Sequence, residues 1–216
     1  MLIIGLTGSI GMGKTTVADH MAARGVAVLD SDAVVHRLYE GKAVPLIEAA
    51  FPGTTAAGRV DRERLAAALM RSPDGFAKLE ALVHPLVRNA QWTFLREHHA
   101  SGAKLCVLDI PLLFETGGER LVDATVVVCA PEAVQAVRVL ARPGMTPEKL
   151  AAIRARQMPD AEKRARADYV IDTGLPLEDT KEQVDRLLES LKSRAGNTFA
   201  LWRQQHADGA RGEGGG

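Results

Sequence analysis

Short, continuous hydrophobic runs rich in β-branched residues recur along the chain and predict its strands. Five stand out, at residues 2–7, 26–30, 105–109, 124–129 and 169–172. Because apolar side chains fill successive positions rather than alternate ones, both faces of each strand are expected to be buried, as in a parallel sheet covered by helices. Helical patterns separate the runs, and the clearest, residues 15–24, ends before Gly25, a suitable helix cap. The alternation predicts an α/β fold with a five-stranded parallel sheet.

Two intervals between these runs are too long for a single crossover helix. Strongly helical patterns fill the first, so residues 31–100 are predicted to form a helical insert. The second, residues 138–166, carries eight lysines and arginines against three acidic residues and is predicted to form a helical lid. The predicted core comprises residues 1–30, 101–137 and 167–195, and residues 196–216 form a C-terminal extension whose glycine-rich end, from Ala207, is predicted to be disordered.

Charge and cysteine content narrow the class of protein. Lysines plus arginines and aspartates plus glutamates number 27 each, so the balance gives no indication of a nucleic-acid or membrane partner. Cys106 and Cys129 both lie within hydrophobic runs and are expected to be buried, reduced thiols. No run approaches the roughly 20 residues of a membrane span, and the first residues lack the features of a signal peptide. A cytoplasmic protein is expected, with a monomer slightly favoured over an oligomer.

The most informative motif directly follows the first hydrophobic run and opens the first helix. Residues 8–15 read GSIGMGKT and match G-x-x-x-x-G-K-[ST], the phosphate-binding P-loop. Glycines let the backbone curl so that successive N–H groups point at phosphate oxygens, and the helix adds its free N-terminal N–H groups. Lys14 is expected to reach the β- and γ-phosphates, and Thr15 to ligate magnesium. The predicted ATP contacts are Gly8, Ser9, Ile10, Gly11, Met12, Gly13, Lys14, Thr15 and Thr16.

Among P-loop proteins, a small-molecule kinase fits the remaining sequence best. The N-K-x-D and D-x-x-G patterns of GTPases are absent, and 216 residues leave little room for the coupling parts of a motor ATPase. A kinase needs a carboxylate near the acceptor hydroxyl, and carboxylates follow two of the predicted strands: Asp30 and Asp32, then Asp109 and Glu115. The carboxyl ends of strands are where open α/β sheets place their sites. The basic segment 138–166 would close over the phosphates and exclude water.

Several further motifs resemble those of the dephospho-CoA kinase family. In chain order they read GLTGSIGMGKTT, LDSDAVVH, LVHPLVR, DIPLLFE, QAVRVLAR and ADYVIDTG. The His84-Pro85-x-x-Arg88 and D-I-P-L-L-F-E elements are far more specific than the P-loop, which many proteins share. The resemblance implies a P-loop kinase core of the nucleoside-monophosphate-kinase type with a helical substrate-binding insert and a helical lid. It also implies transfer of a phosphoryl group from ATP, with magnesium, to the ribose 3′-hydroxyl of dephospho-CoA, the final step of CoA biosynthesis.

The resemblance further implies roles for individual residues. Asp32 would orient the acceptor hydroxyl or take its proton, and Lys14, Arg138 and Arg142 would stabilise the developing charge. The implied substrate contacts are Asp32, His84, Arg88, Leu113 and Glu115, and the implied metal ligands are Thr15 and Asp109. Thr173 stands where many relatives have asparagine near the adenine, so the adenine contact stays open.

Several of these residues also have purely structural interpretations that the sequence leaves open. Asp32 is suited to cap a helix, Asp109 to cap a turn, and Asp30 is expected to be structural. The His84-Pro85 pair is also the pattern of a helix break, since proline removes a backbone N–H and disfavours helix before it. The charges of the lid segment are compatible with a solvated helix face. A kinase for another nucleotide or nucleoside, or an ATP-binding sensor without turnover, remain alternative functions.

Overall fold

The computed structural model describes residues 1–212, in which strands and helices alternate along most of the chain. The strands are β1 (Leu2–Thr7), β2 (Ala27–Asp30), β3 (Thr55–Ala56), β4 (Arg59–Val60), β5 (Leu105–Asp109), β6 (Ala124–Cys129) and β7 (Tyr169–Asp172). The α-helices are α1 (Lys14–Ala23), α2 (Ser31–Leu38), α3 (Val44–Ala50), α4 (Arg62–Arg71), α5 (Gly75–Ala100), α6 (Glu132–Leu140), α7 (Pro147–Arg154), α8 (Asp160–Arg166), α9 (Leu177–Leu191) and α10 (Thr198–Gly212). A short 3-10 turn covers Gly118–Leu121.

The chain divides into two compact units. One contains Met1–Leu29 and the chain from Leu95 onward, and the other is Asp30–Phe94. The second unit therefore corresponds to most of the insert predicted at residues 31–100. The helix α5 starts in the second unit and ends in the first.

A five-stranded sheet in the order β2-β5-β1-β6-β7 forms the centre of the first unit. The strand β1 pairs in parallel with β5 and β6, and β6 pairs in parallel with β7. Every residue of β1 and β6 is buried, as their continuous hydrophobic sequences predict. The five predicted strands and the α/β fold are confirmed. Since β1 is central, the loop that follows it leaves the sheet between the ends of β5 and β6.

Helices cover the sheet and complete its core. The helices α1 and α9 pack against each other, and α9 also packs against β7. Their buried side chains, Val17 and Met21 of α1 with Val184 and Leu187 of α9, share one hydrophobic cluster with the strands. This packing fixes the position of α1, and with it the first residues of the helix that follow the P-loop.

The second unit has its own hydrophobic core, built around Ile47, Phe51, Val60, Leu65 and Leu69. Its first helix, α2, is capped by Asp30, whose Oδ1 accepts hydrogen bonds from the N–H groups of Asp32 (2.8 Å) and Ala33 (3.1 Å). Asp30 therefore has the structural role that the sequence predicts. The helix cap for which Asp32 is also suited comes from Asp30, two residues earlier.

Two local features of this unit differ from what the sequence pattern suggests. The helix α5 continues through Pro85, so the His84-Pro85 pair does not break it. The strands β3 and β4 form a small antiparallel hairpin around Ala57 and Gly58, which both have positive φ. Strands of two residues are too short to carry a hydrophobic period, so the pattern contains no signal for this hairpin.

The C-terminal extension is anchored to the sheet by Asp123. Its Oδ1 accepts hydrogen bonds from the N–H groups of Asn197 and Thr198, at the start of α10, and its Oδ2 accepts from Ile3 N–H of β1. Disorder is predicted from Ala207, whereas α10 continues to Gly212; residues 213–216 of that prediction lie outside the described residues.

Other whole-chain expectations concern membranes and thiols. Within residues 1–212, no helix is both long and apolar enough to cross a bilayer. Cys106 and Cys129 are buried and form no disulfide. Burial raises the pKa of both thiols to about 11, so both remain protonated at neutral pH.

Trp202 makes α10 part of the folded core, and its truncation is expected to be costly. Its side chain is 1% exposed, and its Nε1 donates a hydrogen bond to the carbonyl of Leu121 at 2.8 Å. We predict that Trp202→Ala lowers the free energy of unfolding by about 3–5 kcal/mol, the range for a buried aromatic residue. The measurement is urea denaturation. Leu201→Ala, at a neighbouring position that is 47% exposed, is the control and should change stability little; equal effects of the two variants would contradict the prediction.

Candidate active site

The P-loop, residues 8–13, owes its curvature to glycines that no other residue can replace without strain. Gly11 and Gly13 have φ angles of 75° and 82°, in the left-handed region. Both are also closely covered. A Cβ on Gly11 would overlap Cγ2 of Val139 in α6, and one on Gly13 would lie 2.9 Å from Oγ1 of Thr173. The motif glycines are therefore required both by backbone conformation and by neighbouring side chains.

Two glutamines hold the tip of the loop at Ile10. The side chain of Gln135, in α6, donates a hydrogen bond from Nε2 to the Ile10 carbonyl at 2.7 Å. Gln157, which follows α7, accepts a hydrogen bond from the Ile10 N–H through Oε1 at 3.2 Å. Arg154 of α7 donates in turn to Gln135 Oε1 at 2.5 Å. The loop is thus hydrogen-bonded to the segment predicted as the lid.

Thr173, directly after β7, ties the other end of the loop to Arg138. The Thr173 hydroxyl donates to the Met12 carbonyl at 2.6 Å and accepts from Nη1 of Arg138 at 3.0 Å. A second guanidinium nitrogen, Nη2, donates to the Thr173 carbonyl at 2.7 Å. The side chain of Thr173 is buried, and its hydroxyl also lies 3.2 Å from the carbonyl of Cys129 at the end of β6.

Lys14 and Asp109 form an ion pair at the start of α1. Asp109 ends β5 opposite Leu6 of β1 and is 3% exposed, and its Oδ1 binds the Lys14 ammonium. A buried carboxylate next to a lysine fixes the position of that positive charge at the loop. The ion pair with Lys14 explains why a carboxylate is buried here, so a role of Asp109 as a turn cap is not needed to explain it.

The start of α1 also offers oxygen ligands of the kind that magnesium prefers. Thr15 is exposed in the first turn of α1, next to Lys14, and Asp109 supplies a carboxylate. Magnesium that is bound together with substrate phosphates needs only one or two protein oxygens. Over the part of the chain that the structure describes, no cluster of three or more His, Cys, Asp or Glu side chains is arranged for a metal. The residues fit an ion that arrives with a nucleotide.

The lid segment is attached to the loop after β5. Glu115 Oε1 accepts a hydrogen bond from the Met158 N–H at 2.8 Å and lies 2.9 Å from Nζ of Lys163 in α8. Lys163 is fully buried. Arg166, also in α8, pairs with Glu119 at 2.8 Å and places its guanidinium carbon 4.8 Å from the centre of the Phe114 ring. The face of α8 that contains Lys163 is therefore packed against the protein and not solvated. Arg142, elsewhere in the lid segment, is exposed.

A cavity of about 570 Å³ lies between the P-loop, the end of β6 and the lid segment. Ser9 and Met12 line it from the loop, and Gln157, Asp160 and Asp172 line it from the other sides. Its volume is in the range of ligand pockets and suits a group of nucleoside size.

Three predicted site residues belong to the second unit. Asp32, in the first turn of α2, lines a cavity of about 520 Å³ together with His36, Tyr39 and Arg62. His84 and Arg88 are exposed, one turn apart on α5, and are not among the residues lining this cavity.

The structure thus collects Lys14, Thr15, Asp109 and Arg138 around the P-loop, although Arg138 is predicted on the lid and lies instead in α6. Leu113 is instead fully buried against Gly5 of β1, so only its main chain is available for a substrate contact. Lys163 is a residue that the sequence does not single out, because one lysine in a basic segment carries no signal of burial.

Known proteins resemble this chain over most of its length. A family model described as dephospho-CoA kinase matches residues 2–178. Curated dephospho-CoA kinases of Agrobacterium fabrum and Brucella melitensis are 59% and 55% identical over 88% and 90% of this chain, and 98% and 97% of their own lengths. A crystal structure from Thermus thermophilus is 40% identical with a TM-score of 0.77, and the similarity covers 89% of this chain and 98% of that one.

The Thr173 hydroxyl should matter for nucleotide binding. Thr173→Val keeps the shape of the side chain but removes the bonds to Met12 and Arg138, which leaves a buried carbonyl without that donor. We predict that the dissociation constant for ATP rises about 10-fold in Thr173→Val and stays near wild type in Thr173→Ser, as measured by calorimetry.

A second buried threonine supplies the control. Thr180 is 3% exposed, and its hydroxyl lies 3.4 Å from the carbonyl of Pro176, which caps its own helix, and 3.5 Å from that of Asp172 in β7. Neither contact is with the P-loop, so Thr180→Val should leave ATP affinity unchanged. An unaltered affinity in Thr173→Val would show that the loop keeps its binding geometry without the Thr173 hydroxyl.

Proposed function

The chain belongs to the dephospho-CoA kinase family, which makes it a phosphotransferase, and we propose that it transfers the γ-phosphoryl group of ATP to the ribose 3′-hydroxyl of dephospho-CoA. The products are CoA and ADP, in the final step of CoA biosynthesis. The observation that carries the proposal is a P-loop whose backbone is fixed by Gln135, Gln157 and Thr173, with the Lys14 ammonium at its end.

The P-loop is proposed to bind the triphosphate of ATP. The N–H groups of the loop and of the first turn of α1 would bind phosphate oxygens, and Lys14 would bind the β- and γ-phosphates. Thr15 and Asp109 would hold magnesium together with those phosphates. The ion supplies positive charge that offsets the charge of the phosphates. Lys14 would then exchange Asp109 for the phosphates.

Arg138 and Arg142 are proposed to stabilise charge on the migrating phosphoryl group. Arg138 lies in the last turn of α6 (Glu132–Leu140), and Arg142 follows the end of that helix by two residues. The Arg138 guanidinium is already oriented by two hydrogen bonds to Thr173, next to the loop. The Arg142 side chain is exposed, as a group that approaches a bound substrate would be. Phosphoryl transfer depends mainly on such positioning and electrostatic stabilisation.

Asp32 is proposed to orient the acceptor hydroxyl or accept its proton. Asp30 provides the cap of α2, so the Asp32 carboxylate is not needed for that purpose. Asp32 lines a cavity of about 520 Å³, which is large enough for part of a nucleotide. His84, Arg88 and Glu115 remain proposed acceptor contacts, and the observed bonds of Glu115 are to the lid segment.

The proposed cellular compartment follows from the substrates and from the two thiols. ATP and dephospho-CoA are small soluble molecules, and the two buried thiols suit a reducing compartment, so we propose a cytoplasmic enzyme. A monomer without nucleic-acid or membrane partners remains a prediction.

The acceptor is tested by ADP release in a coupled assay with ATP, magnesium and one of dephospho-CoA, AMP or no acceptor. Fast release with dephospho-CoA alone is expected. Equal rates with AMP would favour a kinase for another nucleotide. Tight binding of ATP without release of ADP in the presence of any acceptor would favour a nucleotide sensor.

Asp32→Asn should separate catalysis from binding. The amide keeps the size of the side chain but cannot take a proton, so we predict that kcat falls at least about 100-fold, the scale of general-base assistance. The dissociation constant for ATP should not change, because the substitution lies outside the P-loop. Asp19→Asn, at an exposed position of α1, is the matched control. Turnover of Asp32→Asn at the wild-type rate would remove Asp32 from the mechanism.

A further inference from the structure

We propose that Arg62 binds the diphosphate of dephospho-CoA, in the cavity of the second unit that it shares with Asp32 and His36. The inference rests on the proposed function and adds to it a contact that the sequence motifs do not indicate. It assigns the acceptor two anchors in one cavity, a carboxylate for its hydroxyl and a guanidinium for its phosphates.

The cavity brings together residues that are far apart in sequence. Asp32 and His36 lie four residues apart on α2 and therefore face the same side of the helix. Arg62 is the first residue of α4 and lines the cavity from a second element. Tyr39 contributes an aromatic wall. The cavity of about 520 Å³ has the carboxylates of Asp30 and Asp32 at the start of α2 and the guanidinium of Arg62 on α4, which suits a ligand that has both a hydroxyl and an anionic group.

Arg62 differs from its two neighbouring arginines in its partners. Arg59 lies 3.7 Å from Glu40, and Arg64 lies 3.2 Å from Asp61. Arg62 forms no ion pair with a carboxylate anywhere in residues 1–212; its guanidinium carbon lies 5.9 Å from the centre of the Tyr39 ring. The Tyr39 pKa is raised by burial and lowered by the charge of Arg62, which places that charge beside a half-buried ring.

The chemistry of dephospho-CoA matches this arrangement. Its ribose carries the 3′-hydroxyl on one side and, through the 5′ carbon, the diphosphate on the other. A guanidinium presents several N–H donors in one plane and binds two phosphate oxygens at once. The Tyr39 ring supports the planar group of Arg62 without neutralising it. Arg62 is therefore left with its charge available for a phosphate, unlike Arg59 and Arg64.

Replacement of Arg62 tests the proposal through the acceptor alone. For Arg62→Gln we expect the dissociation constant and KM for dephospho-CoA to rise about 10-fold or more, with kcat, KM for ATP and the melting temperature near wild type. Arg62→Lys should restore only part of the affinity, because a lysine offers a positive charge but cannot bind two phosphate oxygens at once. Arg59→Gln removes a matched arginine that is paired with Glu40 and should have no effect.

Three results would overturn the proposal. The first is an unchanged dissociation constant for dephospho-CoA in Arg62→Gln. The second is a rise in both substrate constants together with a lower melting temperature, which indicates a packing role beside Tyr39. The third is an affinity in Arg62→Lys that is no higher than in Arg62→Gln, which would exclude a role for the positive charge. Calorimetry separates this inference from the proposed function: wild-type protein that binds dephospho-CoA without turning it over contradicts only the kinase activity, and turnover with a normal KM in Arg62→Gln contradicts only the role of Arg62.

Discussion

A loop that wraps around phosphates must keep its N–H groups aimed inward, and in this protein neighbouring elements impose that shape. Val139 of α6 and Thr173 after β7 occupy the space next to Gly11 and Gly13, and Gln135 and Gln157 bind both polar groups of the Ile10 backbone. The loop geometry is thus set by tertiary contacts before any ligand binds. Preorganised donors of this kind stabilise charge without a reorganisation cost at the moment of reaction.

The same contacts join the loop to the proposed catalytic cations and to the lid segment. Arg138 reaches the loop through Thr173, and Arg154 reaches it through Gln135. The lid segment is held in turn by Glu115, which binds the Met158 N–H and the buried Lys163. Breaking a buried pair such as Glu115–Lys163 leaves one charge uncompensated, so the arrangement of this segment is tightly specified.

Much of the fold and of the P-loop could be predicted because their signals are local. The continuous hydrophobic runs identify the strands, of which β1 and β6 are buried throughout while β2 and β7, at the sheet edges, are only partly buried. The motif G-x-x-x-x-G-K-[ST] identifies a loop whose function depends on its own backbone. The features that could not be predicted depend on contacts between distant residues. Trp202 is buried and donates to the carbonyl of Leu121, Lys163 is buried and pairs with Glu115, and the start of α10 is fixed by Asp123. Asp30 and Asp32 have similar local sequence, and only the backbone geometry shows which one caps α2.

If the loop delivers a phosphoryl group to one hydroxyl of dephospho-CoA, the chemical identity of the product shows which hydroxyl receives it. The measurement is ³¹P NMR of the product formed from ATP, magnesium and dephospho-CoA. A new phosphomonoester coupled to the ribose 3′ proton, formed in equal amount with ADP, is the predicted result. A phosphate at another position, or inorganic phosphate formed with ADP while dephospho-CoA is unchanged, would contradict it.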